Sequence, residues 1–203
     1  MKKVYAQAQV DEAKCIGDKI CENVCPTGAI KVVDKKARVD ETKCAACLKC
    51  FDACDQGAVT MVRRTEPLVL TTNPEEVSQA EIQELCRRAR FDPEEPVCLC
   101  TMTLAKEAAA AVLKGAKTPE EVVLGTGMRT SCGMWCMAPI LRLLRANGLE
   151  LSPPKGYRWY PAEPALWEIP EELAEKYPEY HFEEDRLLFR EGKLPNMINL
   201  LKK

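Results

Sequence analysis

The stretch from Cys44 to Cys54 constrains this chain more than any other. It reads Cys44-Ala45-Ala46-Cys47-Leu48-Lys49-Cys50-Phe51-Asp52-Ala53-Cys54, four cysteines at C-x2-C-x2-C-x3-C spacing. Three thiolates this close can wrap one corner of an iron–sulfur cubane, and the fourth, one helical turn further on, points at a second cluster. Such a run predicts a partner run elsewhere, and one stands 29 positions upstream.

Asp11, Glu12, Lys14, Cys15, Cys21, Cys25, Gly28, Ala29 and Val33 all find identical residues at an offset of 29. A repeat this short and regular marks a duplicated supersecondary unit. The first copy departs at one ligand position, where Asp18 stands in the place of Cys47. By the crossing rule, cluster I takes Cys15, Asp18, Cys21 and Cys54, and cluster II takes Cys44, Cys47, Cys50 and Cys25. The alternative is structural zinc, but zinc favours two C-x2-C halves set well apart. Two crossed runs, each followed by Gly-Ala, fit iron–sulfur better.

Residues 3–64 thus resemble a two-cluster bacterial-type ferredoxin domain, with Cys25-Pro26-Thr27-Gly28-Ala29-Ile30 very similar to that family's segment after its first run. The Asp18 departure also occurs in that family. The resemblance implies either an Asp-ligated 4Fe–4S cluster or a 3Fe–4S cluster with an empty corner. A carboxylate is a harder ligand than a thiolate and holds a soft iron site less well. The register of Asp18 on the missing cysteine favours ligation over a solvated loop residue.

Composition narrows the class. The chain has 203 residues and a formal charge of −2, so no basic footprint points to nucleic acid. The sequence opening shows no apolar signal core, and no apolar run approaches the roughly 18 residues of a membrane helix. Twelve cysteines, eleven of them at ligand spacing, without a signal segment, suggest a reducing cytoplasm and metal rather than a secreted disulfide scaffold. A small ferredoxin buries little apolar side chain, so its clusters must help hold it together.

In chain order, Val4 to Val10 reads as a strand. Ile30–Val33 and Ala37–Val39 read as a hairpin around Asp34-Lys35-Lys36, and Val59–Val62 reads as a closing strand paired with the first. Residues 65–96 read as a connector with one helix, from Asn73 as N-cap and Pro74 at its first position to about Arg90. Val77, Ile82 and Leu85 form its apolar stripe, with Cys86 as a small buried hydrophobe. Asp92 to Pro96 breaks the helix.

Residues 97–148 carry a second ligand set. Cys98-Leu99-Cys100 is followed after a helical excursion by Cys132-Gly133-Met134-Trp135-Cys136. The excursion reads as an alanine-rich helix from Thr103 through Lys114, then a short helix opened by the capping box Thr118-Pro119-Glu120-Glu121. A last helix is expected from Pro139 to Asn147, stopped by Gly148. The cysteines, Gly115 to Val122 and Pro139 resemble the 2Fe–2S domain of the bacterioferritin-associated ferredoxin family. That resemblance implies one 2Fe–2S cluster on Cys98, Cys100, Cys132 and Cys136. It also implies association with FAD-dependent dehydrogenases, since this domain occurs fused to them or as their partner. Three residues separate the last two cysteines here, against two in the bacterioferritin-associated proteins.

From Leu149 to Lys203 lie seven of the 14 prolines and eight of the 12 aromatics. Pro170 to Tyr177 reads as a short helix. The rest reads as an extended arm whose Trp159, Tyr160, Trp167, Tyr177, Tyr180 and Phe182 would lie along a surface, of this chain or of another subunit. His181 has no ligand-spaced neighbour and suggests a surface or interface role.

The expected architecture is α+β: a two-cubane ferredoxin-like domain (1–64), a helical connector (65–96), a small mainly α-helical 2Fe–2S domain (97–148) and a C-terminal arm (149–203). No catalytic constellation, nucleotide fingerprint or flavin domain is present in the sequence. The reading is an electron-transfer subunit of a multi-subunit oxidoreductase, partnered by a catalytic flavoprotein or other oxidoreductase subunit. The alternatives are a free-standing soluble ferredoxin-type carrier and a cluster-assembly or iron-release protein.

Overall fold

The 29-residue repeat is written into the backbone. In the computed structural model, which describes residues 2–152, 166 and 169–190, the first half runs β1 (Lys3–Val10), α1 (Ile20–Val24), β2 (Ile30–Val33), β3 (Lys36–Val39), α2 (Lys49–Asp52) and β4 (Val59–Val69). Positive φ angles recur at the offset: Gly17 and Ala46 at 74° and 50°, Lys19 and Leu48 at 65° and 64°. Such angles are uncommon for residues with a Cβ, so the two loops share a specific shape. Asp11 and Asp40 accept the amides two residues on, from Ala13 and Thr42, at 2.9 and 3.0 Å. The copies also lock onto each other, because the Asp11 amide donates to the Ala58 carbonyl and the Asp40 amide to that of Ala29, both at 2.7 Å.

The expected strands are all present. β2 and β3 form a hairpin, with both turn residues, Asp34 and Lys35, at positive φ as a tight hairpin turn requires. β1 pairs antiparallel with β4, Val10 opposite Val59 and Ala6 opposite Arg63. β4 runs on to Val69, past the expected end at Val62. Between Ala6 and Val4 the register jumps from Arg63 to Leu68, and the excess falls where Pro67 offers no amide to the ladder.

The connector is not a single helix. Asn73 accepts the Glu75 amide at 3.1 Å and opens only a 3-10 turn, Pro74–Glu76. Val77 and Ser78 are extended, and Ser78 caps a new helix, α3 (Gln79–Arg88). The two caps compete, and Gln79 fixes the break by donating its side-chain amide to the carbonyls of Pro74 and Val77. Ile82, Leu85 and Cys86 are buried in the second core, so this stretch is structural rather than a tether. β5 (Pro96–Cys98) pairs with β6 (Thr103–Leu104), which puts Thr103 on a strand where a helix start was expected. Then follow α4 (Ala105–Leu113), α5 (Pro119–Thr126) and α6 (Met137–Ala146). The capping box at Thr118 and Glu121 is formed in full, and Gly148 stops α6 at φ 81°.

α4 touches α3, α5 and α6. Its Ala105, Ala108, Ala109 and Ala110 are fully buried, which lets neighbouring backbones come close. A Cβ on Gly125 of α5 would lie 3.1 Å from the Ala111 side chain.

The chain divides into two compact units, Met1–Pro161 and Ala162–Lys203. The described residues 169–190 of the second are mainly helical rather than the extended arm read from the prolines. They hold α7 (Glu171–Lys176), a 3-10 turn at Pro178–Tyr180 and α8 (Phe182–Arg190). Glu183, Glu184 and Asp185 favour the positive N-terminus of α8. Tyr180 stacks on Phe182 and meets Tyr177 edge-on, at centroid distances of 5.7 and 6.3 Å. These rings pack locally instead of extending outward, and His181 faces Glu184 on the surface at 3.0 Å. Trp159, Tyr160 and Trp167 lie outside the described residues. Among the described residues no helix is long and apolar enough to cross a membrane.

Leu144 is fully buried in the core around α4. We expect Leu144→Ala to cost about 3 kcal/mol, seen as a lower denaturant midpoint for loss of helical circular dichroism. An unchanged midpoint would mean this core does not carry the helices.

Candidate metal centres

The two cysteine runs open onto two separate cavities, and membership is crossed. One is lined by Cys44, Cys47 and Cys50 of the second run and Cys25 of the first, with Ala8, Ile30 and Met61. The other is lined by Cys15, Asp18 and Cys21 of the first run and Cys54 of the second, with Val10, Ala37 and Val59. The crossing follows from chain direction. Each run leads into a short helix, α1 or α2, and its last cysteine lies beyond that helix, against the other copy.

Hydrogen bonds reach the sulfurs with the same twofold logic. The Ala8 amide donates to Cys44 Sγ at 3.3 Å, and the Ala37 amide, 29 residues on, donates to Cys15 Sγ at 3.4 Å. Arg64 donates to the carbonyls of Glu41 and Cys44, while Lys36 donates to those of Glu12 and Cys15. These cations pin each run to the sheet. Sequence reading missed both, because Lys36 and Arg64 are not at equivalent positions and only their targets repeat.

Asp18 sits as a cysteine would. Its Oδ1 accepts the Ile20 amide at 3.0 Å, and the Cys47 thiol accepts the matching amide of Lys49. One carboxylate oxygen is thereby oriented on the cavity wall, and the second remains as a hard donor.

Of the five remaining cysteines, Cys86 is buried on α3 and the other four form two close pairs. Cys98 ends β5 and Cys136 precedes α6; their sulfurs are 3.3 Å apart and both residues are buried. Cys100 and Cys132, on the loops outside, have sulfurs 3.2 Å apart and are exposed. All twelve cysteines are free thiols. Two thiol pairs suit a two-iron group in which each iron takes two sulfurs. Among the described residues, no three His, Cys, Asp or Glu side chains are placed to hold one metal ion.

Residues 8–31 match the family model of the 4Fe-4S binding domain, and residues 96–146 match that of the BFD-like [2Fe-2S] binding domain. The chain carries a 4Fe–4S binding domain followed by a BFD-like 2Fe–2S domain. It is thus an iron–sulfur protein of the electron-transfer kind. The first match contains Cys15, Asp18, Cys21 and Cys25, and the second contains Cys98, Cys100, Cys132 and Cys136. No curated protein and no solved structure matches the chain.

The cubane-type region and the BFD-like domain meet within the first unit. Lys49, next to Cys50, donates to the Ser131 carbonyl at 2.6 Å, beside Cys132. Lys2, just ahead of β1, reaches into the BFD-like domain and donates to Thr103 Oγ1 and to the Thr126 carbonyl. Burial pulls the Lys2 pKa down, while the charges of Glu107 and Cys98 oppose the shift. Neither lysine carried a signal in the sequence.

Thiol acidity is set by burial at some cysteines and by hydrogen bonds at others. Burial pushes Cys136 up to about 12, as it does Cys50, and Cys21 to about 11. A coordinating metal reverses this by favouring the thiolate outright. Burial also opposes the Cys98 thiolate, but hydrogen bonds from the Thr101 side chain and the Arg129 backbone outweigh it and hold the pKa below the usual thiol value. Cys132 is lowered by the Met134 amide first, then by Cys100. In metal-free protein near neutral pH, iodoacetamide should therefore label Cys132 before Cys136, read by peptide mass spectrometry. Equal labelling rates would contradict this arrangement.

Proposed function

We propose that this chain is the electron-transfer iron–sulfur subunit of a multi-subunit oxidoreductase, relaying single electrons between a catalytic FAD dehydrogenase subunit and an acceptor. The observation that carries the reading is the crossed gathering of the two runs around two cavities, with a third four-thiol set in the same compact unit. Cys15, Asp18, Cys21 and Cys54 would hold one cubane-type cluster, and Cys25, Cys44, Cys47 and Cys50 the other. Cys98, Cys100, Cys132 and Cys136 would hold a 2Fe–2S cluster. Bound there, these groups supply one-electron redox capacity.

The protein's own part is positioning and insulation. Amides of Ala8, Ala37 and Ala29 donate to Cys44, Cys15 and Cys25, stabilising negative charge on sulfur. Val10, Ile30 and Val59 keep water from the cavity walls. At the exposed thiol pair, Met134 is 86% and Trp135 68% exposed. An apolar rim beside exposed ligands supports close docking of a redox partner there. A subunit purifies with a stoichiometric partner, whereas a free carrier purifies alone and an iron-release factor with a ferritin.

Anaerobically purified protein should contain iron and acid-labile sulfide sufficient for two cubane-type clusters and one 2Fe–2S cluster. Zinc without labile sulfide would sink the proposal. The Asp18 site should be the labile one, since oxygen replaces sulfur at one corner. Mild oxidation should give a 3Fe–4S EPR signal in the wild type that Asp18→Cys suppresses. Identical oxidised spectra would show that Asp18 does not occupy the ligand corner.

A further inference from the structure

A line of hydrogen bonds runs from the first half of the chain to a buried thiol of the BFD-like domain. Lys2 Nζ donates to Thr103 Oγ1. Thr103 Oγ1 lies 2.8 Å from Thr101 Oγ1, and the Thr101 hydroxyl bonds to Cys98. The direction of this line is fixed by its two ends together: Thr101 gives its one proton to the Cys98 sulfur and so accepts from Thr103. An ammonium group only donates, so Thr103 accepts from Lys2 and has its own proton free for Thr101. Every dipole points the same way, positive end toward sulfur, and aligned hydrogen bonds polarise one another.

The setting makes the line matter. Thr103 is fully buried and Cys98 nearly so, so water does not screen the charge as it would at the surface. Lys2 belongs to neither cysteine run and lies outside both matched segments. Its position is nevertheless fixed on three sides: by Thr103, by the Thr126 carbonyl, and by the Leu70 amide, which donates to the Lys2 carbonyl at 2.8 Å. A Cβ on Gly127 would lie 2.7 Å from Lys2 Cδ, so the absence of a side chain there leaves room for the lysine stem.

We infer that Lys2, acting through Thr103 and Thr101 on Cys98, is a positioning residue that raises the reduction potential of the 2Fe–2S site. It couples that site to the docking of strand β1. Added negative charge on the sulfurs is what reduction brings, and donors aimed at sulfur favour the reduced form. The inference rests on the proposal that Cys98 and its three partners hold a 2Fe–2S cluster.

The test is a redox titration of the whole anaerobically purified protein, followed by EPR of each centre. Lys2→Met should move the 2Fe–2S midpoint to a more negative value while the cubane-type centres keep theirs as internal controls. Lys2→Arg, which keeps the charge, should stay nearer the wild type. Thr103→Val keeps the side-chain shape, removes the middle hydroxyl and leaves Lys2 its bond to the Thr126 carbonyl. It should shift the same midpoint in the same direction, and the double variant should shift by less than the sum. If Lys2→Met loosens the fold and loses the cluster, Thr103→Val decides alone. A wild-type midpoint in Thr103→Val, or an equal shift in Lys2→Arg and Lys2→Met, overturns the inference. Wild-type protein with no 2Fe–2S signal overturns the underlying proposal instead.

Discussion

The antiparallel ladder between β1 and β4 is the contact on which the first unit depends. It joins residues far apart in sequence, Val10 to Val59 and Lys3 to Val69, and so closes the duplicated region into one body. β1 serves all three ligand sets. Val10 lines one cavity, the Ala8 amide donates to Cys44 beside the other, and Lys2 leads toward Cys98. A shift of register along this strand would therefore disturb every set at once, because a one-residue slip turns each side chain to the opposite face.

The two halves of this unit are stabilised by different means. The BFD-like domain shares with α3 an apolar core in which Leu85, Val97, Val122, Ile140, Leu143 and Leu144 close around an alanine-rich helix. The cubane-type region has only two small clusters, built mainly on alanines, Ile30 and Val59, with the cysteines among their members. So small a core supplies little hydrophobic stabilisation. Metal binding, which is also folding free energy, would have to supply the rest there. The docking contacts through Lys2 and Lys49 then tie the weaker body to the stronger one.

Much of this was legible in the sequence, because ligand spacing and the 29-residue offset are local signals. The strands followed from their alternation, the capping box at Thr118 from its own four-residue pattern, and the burial of Cys86 from the apolar helix that carries it. Cys25 lines a cavity with Cys44, Cys47 and Cys50, and Cys54 lines the other with Cys15, Asp18 and Cys21. What failed depended on competition or on distance. Ser78 displaced Asn73 as the cap of α3, and pairing with β5 drew Thr103 out of α4. Prolines in the last unit suggested extension, yet the run Phe182–Arg190 is rich in good helix formers and starts with three acids. The lysines at 2 and 49 could not be read at all, since their targets lie 101 and 82 residues away.

The crossed cavities also bear on how such a chain could arise. One 29-residue copy carries three donors for one cavity and a single donor for the other, so alone it completes neither. Two identical copies related by a twofold axis would complete both, each lending its last cysteine to its mate. In that symmetric pair, however, every corner must be the same residue. Aspartate at 18 beside cysteine at 47 breaks that identity, and a single polypeptide holding both copies allows it. Carrying both copies in one chain thus lets the two cavities differ in a donor while their backbone angles stay alike.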